Sequence, residues 1–210
     1  MKVVKTKEKP RLDIYIAPIE DKTFLFPLLP KEREEEIKNI KNERVKREKY
    51  SAWRLLEYAL SKSLSATLPD SKLYKDENGK WHSPLFEFSI SHSDFACAVV
   101  ISHAPVGIDV EPVGKIFSES FANKNLTQEE LLKYNALPSA EKDSFLLTRW
   151  CIKEAIFKRE GGSFFAPSSI NSLSPDTLVR NVKLGTNEYV CALSGALEEC
   201  EPTFTIVKQL

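Results

Sequence analysis

The chain has 210 residues, 42% hydrophobic and 29% charged, enough for one large domain or two small ones around a sizeable core. Thirty basic and thirty acidic residues give a formal net charge of zero, which removes any whole-molecule electrostatic case for nucleic acid and leaves charge logic local. No stretch approaches the roughly 20 apolar residues of a membrane helix, and the lysine-rich start from Met1 to Pro10 lacks an apolar run of signal-peptide length. A cytoplasmic protein is expected, with no membrane or nucleic-acid partner. Cys97, Cys151, Cys191 and Cys200 form no C-x-x-C pair and lie at no zinc-ligand spacing from a histidine, so they read as buried or incidental thiols.

In chain order, Leu12 to Ala17 alternates as a strand does, and Pro27 and Pro30 bracket a turn. From Lys31 to about Ser65 the chain is charged and free of Pro and Gly. One or two helices are expected there, with a basic cluster at Arg44–Lys49 and a core-facing end at Trp53–Leu60. Asn78-Gly79 marks a turn. Phe86, Phe88 and Ile90 then define one apolar strand face, and Ser91-His92-Ser93-Asp94 reads as a polar loop that interrupts it. Phe95–Ile101 and Val106–Val110 read as two further strands, the latter stopped by Pro112. Thr127 and Glu130 have capping-box spacing at a helix start. A longer helix is expected from Ser139 through Lys158, ended by Gly161-Gly162. Strands follow at Val179–Leu184 and Tyr189–Leu193, with a third at Phe204–Val207. This mixed order favours an α+β fold over regular βαβ units.

Three segments carry chemistry. Asp109 and Glu111 lie two apart on an expected strand, so both carboxylates point to one face. A hard divalent cation would relieve their repulsion; a solvated strand edge is the plain alternative. Trp150, Glu154 and Lys158 are spaced by four and share a helix face. Taken alone, that is an ordinary surface Glu–Lys pair. Ser91-His92-Ser93 could donate to phosphate oxygens or could be a simple exposed turn.

Taken together, F-S-I-S-H-S, G-I-D-V-E and W-C-I-K-E-A-I-F-K resemble the signature set of the 4′-phosphopantetheinyl transferases. The resemblance runs from about Arg44 to Gly162 and points to the larger, surfactin-type group, since the chain is about twice the length of the short form. Gly79-Lys80 and the helix residues Arg47 and Arg54 agree with it. Cys151, Trp81 and Ser89 depart from the residues usual at their positions, and none of these departures removes a charged group.

The resemblance implies a pseudo-dimer of two α+β halves, 1–104 and 105–210, with coenzyme A between them. It implies transfer of the 4′-phosphopantetheine arm of coenzyme A to a serine of an apo acyl or peptidyl carrier protein by a monomeric, magnesium-dependent enzyme. Asp109, Glu111 and Glu154 would hold the metal. Arg47, Arg54, Lys80, Ser91, His92, Asp109, Lys153 and Lys158 would contact coenzyme A. Lys158 would also act in catalysis. Glu154 or Glu130 would be the base, with the helix cap as the competing role for Glu130. The rival readings are a non-catalytic coenzyme A binding module that regulates a partner, and a D-x-E phosphohydrolase. The latter leaves the helix motif unexplained.

Overall fold

The computed structural model describes residues 11–19, 28–198, 200, 202–208 and 210. The fold is α+β. Strand β1 (Leu12–Pro18) is followed by helices α1 (Lys31–Lys38) and α2 (Glu43–Leu64), then by the two-residue strands β2 (Tyr74–Lys75) and β3 (Trp81–His82). Strands β4 (Glu87–Ser93), β5 (Ala96–Ser102) and β6 (Gly107–Pro112) come next. Helices α3 (Glu119–Asn125), α4 (Gln128–Ala136) and α5 (Ser139–Glu160) precede β7 (Thr177–Leu184), β8 (Asn187–Ser194) and β9 (Thr203–Ile206).

Two main sheets result, in the orders β4-β5-β1-β9 and β6-β8-β7. The last strand returns to the first sheet, where β9 runs parallel to β1. Each sheet carries one 22-residue helix, an arrangement compatible with a plan of two halves.

Side-chain alternation dictates the layering. Tyr15, Ala17, Val99 and Ile101 join Trp53, Leu55, Leu56 and Leu60 of α2 in one core. The opposite faces of the same strands, Ile14, Ile16, Ala98 and Val100, meet Ile108, Val110, Tyr189 and Cys191 of the second sheet. Val190 and Ala192 then pack against Leu147, Cys151, Ile152 and Ala155 of α5. The order of layers is helix, sheet, sheet, helix. Strands β1 and β5 are buried on both faces, which explains their nearly continuous apolar runs.

The element boundaries follow local chemistry. Asn42 caps α2 through Arg44 N–H and Val45 N–H, and the expected capping box of Thr127 and Glu130 is present at α4. Gly161, at φ 71°, ends α5 as anticipated. The Asn78-Gly79 turn closes the β2–β3 hairpin, where the Asp76 carboxylate accepts from Asn78 N–H and Lys80 N–H. Pro27 of the expected proline-bracketed turn lies outside the described residues. Helix α3, capped by Ser118, was not anticipated.

One expectation is corrected. Ser91, His92 and Ser93 are not a loop but the end of β4, paired with Ala98, Cys97 and Ala96. Only Asp94 and Phe95 make the turn, with Phe95 at φ 64°. A polar segment remains a strand here because its hydroxyls find partners on β6.

Candidate active site

Asp109 and Glu111 lie on the β6 face that meets α5, as their spacing requires. Asp109 is buried, and its Oδ1 accepts from Ser91 Oγ at 2.8 Å and from Lys158 Nζ at 2.7 Å. Its Oδ2 accepts from Cys151 Sγ at 3.2 Å. Glu111 accepts from Ser93 Oγ at 2.6 Å and pairs with Lys115 in the following loop. Burial works against the charged Lys158 ammonium. The attraction of Asp109, their hydrogen bond and the nearby Glu154 outweigh burial and raise its pKa. For Glu154, burial is the leading influence and raises the carboxyl pKa. Lys158 offsets part of that, while Asp109 and Glu111 add to it. Glu154 therefore stands within the field of both β6 carboxylates, one turn from Lys158.

The donor set of hard carboxylate oxygens suits a hard divalent cation, and magnesium commonly takes only one or two protein carboxylates. Among the described residues, however, no three His, Cys, Asp or Glu side chains are gathered as a metal site. Lys158 and Lys115 neutralise Asp109 and Glu111 instead.

Beside this cluster lies a cavity of about 320 Å³, lined by Arg33, Trp53, Gly79, Lys80, Trp81, Ile90, His92, Phe157, Lys158 and Gly161, among others. Its size falls in the range of small-ligand pockets. Three of its buried polar atoms, Arg33 Nε, Trp81 Nε1 and His92 Nδ1, have no hydrogen-bond partner. Unsatisfied buried donors are costly and rare, so their convergence on one cavity marks a place for acceptor atoms. Burial, reinforced by the charges of Lys158, Lys49 and Arg33, pushes the His92 pKa down to about 4. Glu48 stands 3.6 Å away, beyond hydrogen-bond reach and too far to reverse this. Lys80 Nζ donates to the Arg159 carbonyl at the end of α5, which ties the β2–β3 hairpin to the second half of the chain.

The structure thus brings Lys80, Ser91, His92, Asp109, Glu111, Glu154 and Lys158 together. Arg47 lines a separate hollow of about 240 Å³ with Arg44 and Phe95, and Arg54 does not line the main cavity. Arg33 and Trp81 were missed. Arg33 is hidden in the acidic sequence of α1 and is held 5.4 Å over the Trp53 ring. Trp81 packs edge-on against Trp53 at 5.2 Å. The tryptophan after Gly79-Lys80 was the available clue.

Glu130 and Lys153 face each other instead. Both are sealed from solvent, with Lys153 Nζ 2.6 Å from Glu130 Oε2. Glu130 also accepts from Thr127 N–H and from the backbone and hydroxyl of Ser172. Lys153 donates its remaining hydrogens to the Pro167 and Ile170 carbonyls. None of these partners belongs to the Asp109 cluster. Burial would raise the Glu130 pKa, but these hydrogen bonds hold it below the usual 4.5. The stability this carboxylate contributes is therefore complete above about pH 4.5 and lost as pH falls below it. Glu130→Gln leaves the Lys153 charge buried without a counter-charge. It should cost about 3–5 kcal/mol and lower the melting temperature at pH 7 by roughly 10 °C, with little change in rate per folded molecule. Thermal melts and initial rates check this; a large rate loss at unchanged melting temperature would instead make Glu130 the base.

Residues 105–198 match the model of the 4′-phosphopantetheinyl transferase superfamily. The chain is 26% identical over 111 residues to the 4′-phosphopantetheinyl transferase psf-1 of Bacillus pumilus, which covers 52% of this chain and 47% of that protein. It is 42% identical over 69 residues to a holo-[acyl-carrier-protein] synthase of Mycoplasma mobile, covering 31% of this chain and 60% of the relative. The chain thus spans about half to three-fifths of the curated relatives it matches. Asp109, Glu111, Cys151, Glu154 and Lys158 all fall inside the matched stretch, and through it the chain belongs to the 4′-phosphopantetheinyl transferase superfamily.

Proposed function

We propose that this protein transfers 4′-phosphopantetheine from coenzyme A to a serine hydroxyl of an apo acyl or peptidyl carrier protein. The observation that carries the reading is the junction of two features at Lys158. It lines a cavity with unsatisfied buried donors and pairs with a carboxylate on the neighbouring strand. The cavity would take the nucleotide end of coenzyme A, with Arg33, Lys80 and His92 facing its phosphates. Lys158, at the boundary, would meet the pyrophosphate where the bond breaks. A serine hydroxyl needs a base, and the raised pKa of Glu154 brings a carboxylate nearer to the range in which it can accept a proton and later release it. Magnesium, held by Asp109 and Glu111 with Glu154 beside them, would stabilise charge developing on the phosphate oxygens.

In this reading the protein acts as a cytoplasmic monomer. No helix among the described residues is long and apolar enough to cross a membrane.

The donor side has a direct test in calorimetric titration with coenzyme A and with 3′-dephospho-coenzyme A. Loss of charge-assisted contacts should weaken binding of the dephosphorylated form about tenfold or more. Arg33→Ala should narrow that gap. Equal affinity of the wild type for both compounds would contradict placement of the 3′-phosphate among these donors.

A further inference from the structure

Strand β4 is an edge of the first sheet and β6 an edge of the second, and the two abut without a backbone ladder. Serine side chains make the rungs. Ser89 Oγ accepts Ile108 N–H at 3.2 Å, and Ser91 Oγ accepts Val110 N–H at 3.3 Å. These are outward-facing N–H groups that β8 does not use. The same β4 face also reaches the acids: Ser91 Oγ donates to Asp109 and Ser93 Oγ to Glu111. Alternate serines of one strand thus meet alternate acids of the other. Both strands rise about 6.6–6.8 Å per two residues, so the rungs stay in register.

Ser91 is fully used in this arrangement. Its one proton goes to Asp109, and its two lone pairs receive Val110 N–H and Lys158 Nζ. Nothing remains for a phosphate oxygen. Ile90 and His92, intervening on the same strand, line the cavity. One strand therefore sets both the orientation of the carboxylates and their distance from the donor pocket.

We infer that Ser91 and Ser93 are positioning residues, which act through Asp109 and Glu111 by fixing each carboxylate from across the seam between the sheets. The inference rests on the reading of those carboxylates as metal ligands. Outer-shell partners of metal-binding carboxylates typically govern affinity by 10–100-fold, and a hydroxyl is the smallest group that can accept from a strand N–H while donating to a carboxylate.

The test is Mn²⁺ binding to the full-length protein, read by the loss of the free-ion EPR signal, with thermal melts in parallel. Ser93→Ala should weaken Mn²⁺ binding about 10–100-fold, since Ser93 is only half-buried and its loss leaves the fold intact. Ser91→Ala should weaken binding similarly, and Ser93→Thr, which keeps the hydroxyl, should restore it to within about threefold of wild type. If the wild type binds Mn²⁺ and Ser93→Ala binds it equally well, the inference is overturned even if the melting temperature falls, because the serine then serves only to join the sheets. If the wild type binds no Mn²⁺, the metal reading fails and takes the inference with it.

Discussion

Asp109→Asn is expected to slow transfer by about 10²–10³-fold, the usual cost of removing one preorganised electrostatic contact to a reacting centre. The amide keeps the size of the carboxylate and can still accept from Ser91 on one side, with its NH₂ group towards Cys151 on the other. What it loses is the charge beside Lys158. Glu154 remains close enough to raise the Lys158 pKa, so the ammonium is not left wholly uncompensated. A stability loss of about 1–3 kcal/mol is expected, below the full cost of breaking a buried pair. For a chain of this size that is a melting-temperature drop of several degrees. The prediction is the disproportion between a modest thermal shift and a rate loss of orders of magnitude, measured on the same preparation. A variant with near-normal rates would show that Asp109 serves the fold and not the chemistry.

Gly107→Ala should be the most damaging single-methyl change in the chain. A Cβ at Gly107 would lie 1.9 Å from the Ala155 carbonyl oxygen and 2.6 Å from Arg159 N. These are backbone atoms of α5 and cannot rotate aside. The helix would have to move off β6, and it carries Cys151, Glu154 and Lys158. Overpacking of this kind costs about 3 kcal/mol or more, and transfer should fall with it because Lys158 would leave Asp109. Gly114→Ala is the control. It sits at φ 94° with nothing within 4 Å of an added Cβ, so only the backbone strain of about 1–2 kcal/mol applies. Urea unfolding of both variants should separate them clearly; equal losses would mean that α5 tolerates displacement from β6.

Much of this was legible in the sequence for identifiable reasons. The two-residue spacing of Asp109 and Glu111 fixes a shared face wherever the strand lies, and the four-residue spacing of Glu154 and Lys158 does the same for a helix. The capping residues Asn42 and Thr127 and the terminator Gly161 act within one turn of chain, so their effects are local and readable. The features that were missed depend on distant partners. Ser91-His92-Ser93 read as a loop because polar runs usually end strands. Only the approach of β6, with its free N–H groups and carboxylates, makes them a strand face. Lys153 is adjacent in sequence to Glu154 and so shared its expected site. It is instead turned towards Glu130, 23 positions earlier, on a side of α5 that the motif does not reveal. Arg33 sits among glutamates that suggest a solvated helix, and only the fold brings it over Trp53 and into the cavity. Gly107 reads as a flexible residue in G-I-D-V-E, whereas its role is to admit the backbone of α5.

The central claim is the transfer itself, and the mass of a carrier protein tests it most directly. An apo acyl or peptidyl carrier protein incubated with coenzyme A, magnesium and this protein should gain the mass of one phosphopantetheine group on its serine. The gain should vanish without coenzyme A. Unchanged mass across fatty-acid, polyketide and peptide-synthesis carriers, from a preparation that binds coenzyme A, would contradict the transferase reading.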